Sequence, residues 1–213
     1  MSIELAESES RTDREDGAKR RQIVNGAREV FLAMGFDAAS MGEIARAAGV
    51  SKGTLYVYFE NKEQLFDAIV GQECQVQAEG IFKFDLTDHD VDAILTRLGI
   101  AYVQFLCRPG GPSSVLRTVI AIAERMPEVG RRFYETGPAL GIARLAAYLS
   151  AQTAAGVLAV EDCEIAAAQF MDACQSTLFK PVLFNFGQTP TPERIEHVVK
   201  IAVRTFLAAY RAR

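Results

Sequence analysis

The side chains with the most evident chemistry lie between Ser40 and Lys62. Hydroxyls stand at Ser40 and Thr54, phenols at Tyr56 and Tyr58, and ammonium groups at Lys52 and Lys62. Such groups donate hydrogen bonds to phosphate oxygens, and on an exposed helix they also reach base edges. The residues between them set the geometry. Ala45, Gly49, Val50 and Leu55 supply a small contact residue, a turn glycine and an apolar anchor, which two steeply crossing helices of a helix-turn-helix require. On such a unit the second helix, here 52–58, enters the major groove of a duplex. That assigns Lys52, Thr54 and Tyr56 to base edges. Ser40, Tyr58 and Lys62 fall to phosphates, and Lys62 opens a helix whose free amides favour an anion.

The elements that must hold these groups are also legible. From Lys19 onward, Ile23, Ala27, Val30, Phe31 and Met34 recur on one helical face, and Gly35 stops that helix. Ser40-Met41-Gly42-Glu43 is a capping box opening a short helix with Ile44, Ala45 and Ala48 inward. Gly49 permits a tight turn, and Ser51 caps the next helix. Asn61-Lys62-Glu63-Gln64 caps a longer one through Leu65, Phe66, Ile69 and Val70.

Other chemistries find little material. The chain has 213 residues, 49% apolar, with four cysteines and two histidines. Cys74, Cys107, Cys163 and Cys174 form no CxxC pair, and His89 and His197 are far apart, so no zinc site or histidine-based triad is expected. The sequence lacks GxGxxG and GxxxxGK[ST], so no nucleotide-phosphate loop, cofactor or enzymatic activity is expected either. No apolar run approaches the roughly 20 residues of a membrane span. The start, MSIELAESESRTDRED, is too acidic for a signal peptide, which makes the cytoplasm the expected compartment.

A net charge of −4 argues against a polyanionic partner until it is divided along the chain. Residues 1–16 hold six acids against two bases and read as a disordered acidic tail. Residues 17–62 hold seven bases against four acids, a basic head. Residues 63–213 hold 14 bases against 17 acids. The bases are concentrated where the candidate DNA contacts lie.

The stretch Ser40–Ile69, SMGEIARAAGVSKGTLYVYFENKEQLFDAI, resembles the DNA-binding domain of the tetracycline-repressor-like (TetR/AcrR) family. The resemblance implies an all-α homodimeric transcriptional regulator of about nine helices. Its N-terminal three-helix reader spans 17–62, and its ligand-sensing and dimerising domain spans 63–213. Carried over by position, Ser40, Thr54, Tyr58 and Lys62 match phosphate-contacting places, and Lys52, Gly53, Thr54 and Tyr56 lie on the reading helix. Gly42 departs from the family, many members of which carry a larger residue there. The segment Arg117–Pro138, RTVIAIAERMPEVGRRFYETGP, resembles the AefR-like subgroup.

Beyond Gly71 the chain stays helical in pattern, divided by Pro, Gly and Asp into 62–83, 89–107, 113–125, 127–151, 161–180 and 192–211, with Asp88 a candidate cap for the second. Thr191 caps the last helix, and Pro192 stands at its first position. Its stripe of Ile195, Val198, Val199, Ala202, Phe206, Ala209 and Tyr210 is broadened by Ile201, Val203 and Leu207. Helix 161–180 carries Ala166, Ala167, Ala168 and Ala173, which permit close approach. These two helices are the expected homodimer interface, and a two-fold dimer would read a nearly palindromic operator in double-stranded DNA. Candidate effector-pocket walls are Tyr102, Phe105, Leu116, Ile120, Phe133, Phe170 and Cys174, which suit a small apolar or aromatic molecule. The expected function is a repressor released by such an effector. The alternative is a helical protein-interaction regulator, or a redox sensor using Cys163 and Cys174, with no small-molecule effector.

Overall fold

The computed structural model describes residues 16–73 and 80–212; the expectation for the acidic tail at 1–16 falls, Asp16 apart, outside them. Helix α1 (Ser2–Ala38) buries Ile23, Val24, Ala27, Val30 and Phe31 on one face. Met34, expected on that face, is instead exposed. The helical course breaks at Gly35, whose φ of 78° and ψ of 167° lie where only glycine is comfortable. The break swings Phe36 inward against Phe31 and Phe66, with ring centroids 5.4–5.7 Å apart.

Helices α2 (Met41–Ala47), α3 (Lys52–Tyr58) and α4 (Lys62–Gly80) follow. Ile44 and Leu55 are fully buried, so each short helix has a single large anchor. Burying such a side chain is worth about 1.5–3 kcal/mol, enough to seat a seven-residue helix that could not form alone. Leu65, Phe66, Ile69 and Val70 of α4 are buried too, and the first compact unit runs through Val70, past the boundary expected at Lys62.

The second unit, from Gly71 onward, comprises α5 (Val91–Cys107), α6 (Pro112–Ile122), α7 (Pro127–Thr136), α8 (Pro138–Ala154), α9 (Cys163–Gln175), α10 (Phe179–Leu183) and α11 (Pro192–Tyr210). There is no strand among the described residues, only one isolated bridge between Leu158 and Arg211. The chain is all-α, as expected, with eleven helices among the described residues. Segment 127–151 divides at Gly137 because Pro138 lacks an amide proton and disfavours helix in the residue before it. Segment 161–180 ends at Gln175; Thr177, with φ of 62°, turns the chain before α10 begins.

The cap of α5 is Asp90, whose Oδ1 accepts from the Ala93 amide at 3.1 Å. Asp88, the expected cap, accepts from the Asp90 amide instead, at 3.0 Å, one step upstream. The loop before α5 is pinned from below by α8. Tyr148 donates to the Asp88 carbonyl at 2.9 Å, and the fully buried Gln152 donates to the Leu86 carbonyl at 2.9 Å. Gln152 Oε1 also lies 2.7 Å from His89 Nδ1, which places the imidazole proton on that nitrogen.

Candidate nucleic-acid interface and effector cavity

The reading unit is fixed by local caps. Ser40 Oγ accepts from the Glu43 amide at 3.3 Å, and Glu43 returns with Oε2 on the Ser40 amide at 3.0 Å and on its hydroxyl at 2.7 Å. Those bonds from Ser40 hold the Glu43 carboxyl below the usual range. At α3, Ser51 Oγ accepts from the Thr54 amide at 2.9 Å. Gln64 donates its amide to Asn61 Oδ1, also at 2.9 Å, at the head of α4.

Two further features, absent from the sequence reading, set α1 against the turn between α2 and α3. Gly26 faces Ala48 so closely that an added Cβ would stand 2.6 Å from the Ala48 backbone nitrogen. Gln22 Nε2 donates to the Ala48 carbonyl at 2.6 Å. Gly49 then turns the chain with φ of 64°, which costs glycine nothing and other residues about 1–2 kcal/mol.

On this frame the expected contact residues divide. Lys52, Gly53 and Tyr56 are exposed along α3, Thr54 and Tyr58 are half-buried, and Ser40 is exposed at the start of α2. The Lys52 stem lies over Gly42: a Cβ there would approach Lys52 Cε to 3.0 Å. The departure at Gly42 therefore makes room for this lysine to lie along α2. Val57, not singled out from the sequence, is 81% exposed on the same helix, a position suited to apolar contact with a thymine methyl.

Tyr58 and Lys62 are engaged within the unit. The Tyr58 hydroxyl donates to Asp16 Oδ1 at 2.6 Å, a bond that raises the phenol above its ordinary pKa. Asp16 thus holds the group expected on phosphate. An Asp16→Asn protein should bind non-specific DNA several-fold more tightly at low salt, since a neutral amide competes less well with phosphate for the phenol. Unchanged binding in a filter assay would rule out that competition.

Lys62 Nζ donates to the carbonyls of Phe36 at 2.9 Å, Asp37 at 3.1 Å and Ala39 at 3.4 Å, and lies 4.7 Å from the Phe36 ring centroid. These bonds tie α4 to the end of α1, and we propose that Lys62, expected on phosphate, holds the head together instead. Lys62→Met should lower the stability of the head by about 1–3 kcal/mol and leave the salt dependence of DNA binding unaltered. A phosphate ligand would behave oppositely, with unchanged stability and a salt slope smaller by about one.

The second unit holds a cavity of about 480 Å³ walled by α5–α10 and by Glu73. Of the expected wall residues, Tyr102, Phe105, Leu116 and Phe133 line it. Ile120 does not, being 59% exposed on the far side of α6. Phe170 stacks edge-on against Phe206 at 5.5 Å, and Cys174 is fully buried in the core. Their places are taken by Val119 and Met171, one residue away on the same helices, and by Leu106, Ile142 and Phe179. A single-residue step is about 100° of helical phase, enough to exchange cavity for core.

The apolar wall carries a few polar groups. Glu73 is buried and paired with Arg108, whose guanidinium also lies 5.1 Å from the Phe105 ring centroid. Asp172, which is exposed, accepts from Gln175 Nε2 at 2.9 Å. Tyr102 is held above the usual phenol range, by burial first and then by the charges of Asp172 and Cys174. Burial likewise pushes the Cys107 thiol up to about 11 and that of Cys174 to about 12. Among the described residues no group of three or more His, Cys, Asp or Glu could hold a metal, and no helix is long and apolar enough to cross a membrane.

Comparison with known proteins agrees with this two-part organisation. Residues 23–69 match the family described as bacterial regulatory proteins, tetR family. Residues 93–212 match the AefR-like transcriptional repressor, C-terminal domain. The HTH-type transcriptional repressor Rv1474c of Mycobacterium tuberculosis is 33% identical over 93 residues, covering 39% of this chain and 50% of that protein. The chain thus spans about half the length of the curated relatives it matches. Likeness to solved structures extends further. A TetR-family transcriptional regulator from Mesorhizobium loti superposes with a TM-score of 0.78 at 27% identity, over 92% of this chain and 98% of that one. The flavonoid-responsive regulator FrrA gives 0.74 at 32% identity, over 92% and 99%. With a helix-turn-helix head and an AefR-like helical body, the chain belongs to the TetR family, whose members are DNA-binding transcriptional regulators and not enzymes.

Proposed function

We propose that this protein is a repressor that binds a palindromic operator as a homodimer and is released by a small apolar effector held in the cavity of its second unit. The observation that carries the ligand response is the cavity of about 480 Å³ with its nearly continuous apolar wall. That is ample for a molecule of one or two aromatic rings. The exposed face of α3, with Lys52, Tyr56 and Val57, supports the reading of DNA. The name of one relative, a transcriptional repressor, supports the sign of the response. That of FrrA, a flavonoid-responsive regulator, supports an aromatic effector.

The proposed dimer uses the outer faces of α9 and α11. Ile165 and Ile201 are exposed there, at 55% and 42%, although Val203 and Leu207 are buried within the chain's own core. Two-fold pairing would set two reading helices one DNA turn apart, roughly 34–36 Å. Footprinting across a set of promoter fragments tests this, with protection of two inverted half-sites expected. Adding an effector should weaken operator binding by about 1–3 kcal/mol of coupling. Protection of one unrepeated half-site would overturn the dimer, and a ligand that raises the melting temperature without moving the DNA titration would overturn the coupling.

The redox alternative is disfavoured by the burial of Cys174 and its raised pKa, because a reactive thiol must be exposed and ionised. Cys163 and Cys174 stand 11 residues apart on α9, about 16 Å along its axis, beyond the span of a disulfide.

A further inference from the structure

Resting on the effector reading of the cavity, we infer that the effector carries a hydrogen-bond-donating, non-anionic polar end, an ammonium or a hydroxyl, and that carboxylate ligands are excluded. The grounds are the charges on the wall. Two of the described lining residues are acidic, Glu73 and Asp172, and none is Lys, Arg or His. Arg108 is not part of the lining and commits its guanidinium to Glu73. A carboxylate entering this cavity would meet the charge of Asp172 and, with Arg108 committed to Glu73, no base on the described lining, while losing its own hydration.

The remaining polar groups favour a donor. Asp172 is a pure acceptor, and its Oδ1 already takes the Gln175 amide as a neighbouring donor. Tyr102, only 8% exposed, lines the cavity, and no hydrogen bond to its hydroxyl is found among the described residues. The hydroxyl is thus open to the cavity rather than sealed in the core, and a ligand that bonds it adds a hydrogen bond on entry. Burial first, and then the charge of Asp172, raise this phenol, so Asp172 lies near enough to act on a group bound beside it. An effector donating to Asp172 and accepting from or donating to Tyr102, with its apolar body against Phe105, Leu116 and Met171, satisfies the whole wall.

The test uses three probes on one apolar body: 6-phenylhexylamine, 6-phenylhexan-1-ol and 6-phenylhexanoate. Each is titrated calorimetrically into the full chain, into Asp172→Asn and into Leu116→Trp, which fills the cavity. The amine and alcohol should bind, and the acid should bind at least ~tenfold more weakly. Asp172→Asn, isosteric and at the exposed edge of the cavity, should narrow that gap while keeping the Gln175 bond. Acid binding equal to that of the alcohol and lost in Leu116→Trp would overturn the charge selection and leave the effector site standing. Failure of all three probes to bind, or binding indifferent to Leu116→Trp, would overturn the cavity reading and this inference with it.

Discussion

A Gly26→Val protein should lose operator binding and melt with a head destabilised by about 3 kcal/mol. The reason is where the new side chain would go. Even a single Cβ at this position would stand 2.6 Å from the Ala48 nitrogen and 2.7 Å from its Cα, and those are backbone atoms that cannot rotate aside. Relief would require α1 to move away from the turn, breaking the Gln22 bond to the Ala48 carbonyl and loosening the Leu55 anchor. With α3 displaced, its contacts with base edges would be lost together. Gly71→Ala is the matched control. It lies inside α4, nothing stands within 4 Å of its added Cβ, and it should stabilise by about 0.5–1 kcal/mol through helix propensity. Calorimetric melting and a gel shift read both variants. If Gly26→Val melts and binds like the parent protein, the close approach does not hold the unit together.

Lys52→Ala should cost about 2–6 kcal/mol on the preferred operator, because a base contact worth about 1–3 kcal/mol is made once per half-site and a two-fold dimer makes it twice. Binding to unrelated sequence should fall far less, so the specificity ratio collapses. Selection of bound DNA from a random pool, at stated salt, should show relaxed preference at one position in each half-site. Tyr58→Phe provides the contrast: losing a phosphate contact weakens all DNA about equally. Gly42→Ser sharpens the assignment, since its Cβ would press on the Lys52 stem and redirect it without removing its charge. An unchanged selected sequence for Lys52→Ala would take this residue out of the reading set.

The caps at Ser40, Ser51, Asn61 and Thr191 were all legible in the sequence. Each is a bond between a side chain and an amide three residues on, and chain geometry alone brings those groups together. The division at Gly137 was present as a glycine-proline pair, and the apolar pattern running through it obscured it. Lys62 shows the opposite case. As a lysine at a helix start near a DNA-binding motif it reads as a phosphate ligand, yet the three carbonyls that take its protons lie 23–26 residues earlier. No spacing rule connects them; the glycine break within α1 does, by turning those carbonyls toward α4.

The cavity wall makes the same distinction at the level of packing. Phe170 and Met171 are adjacent, both apolar and both buried, yet only Met171 faces the cavity. Apolar periodicity records that a face leaves water, and burial against side chains and burial against a void leave the same pattern. The uneven distribution of charge, the caps and the helix-turn-helix spacing are local properties, so the all-helical fold and the DNA-reading head follow from the sequence by itself. Which side chains approach across distant segments is a long-range property. Only the tertiary structure decided that Gly26 meets Ala48, that Lys62 reaches three carbonyls, and that Glu73 and Asp172, with no base among the described lining residues, border an apolar cavity. Those arrangements depend on the angles at which helices cross, and crossing angles are set by the packing of many side chains at once.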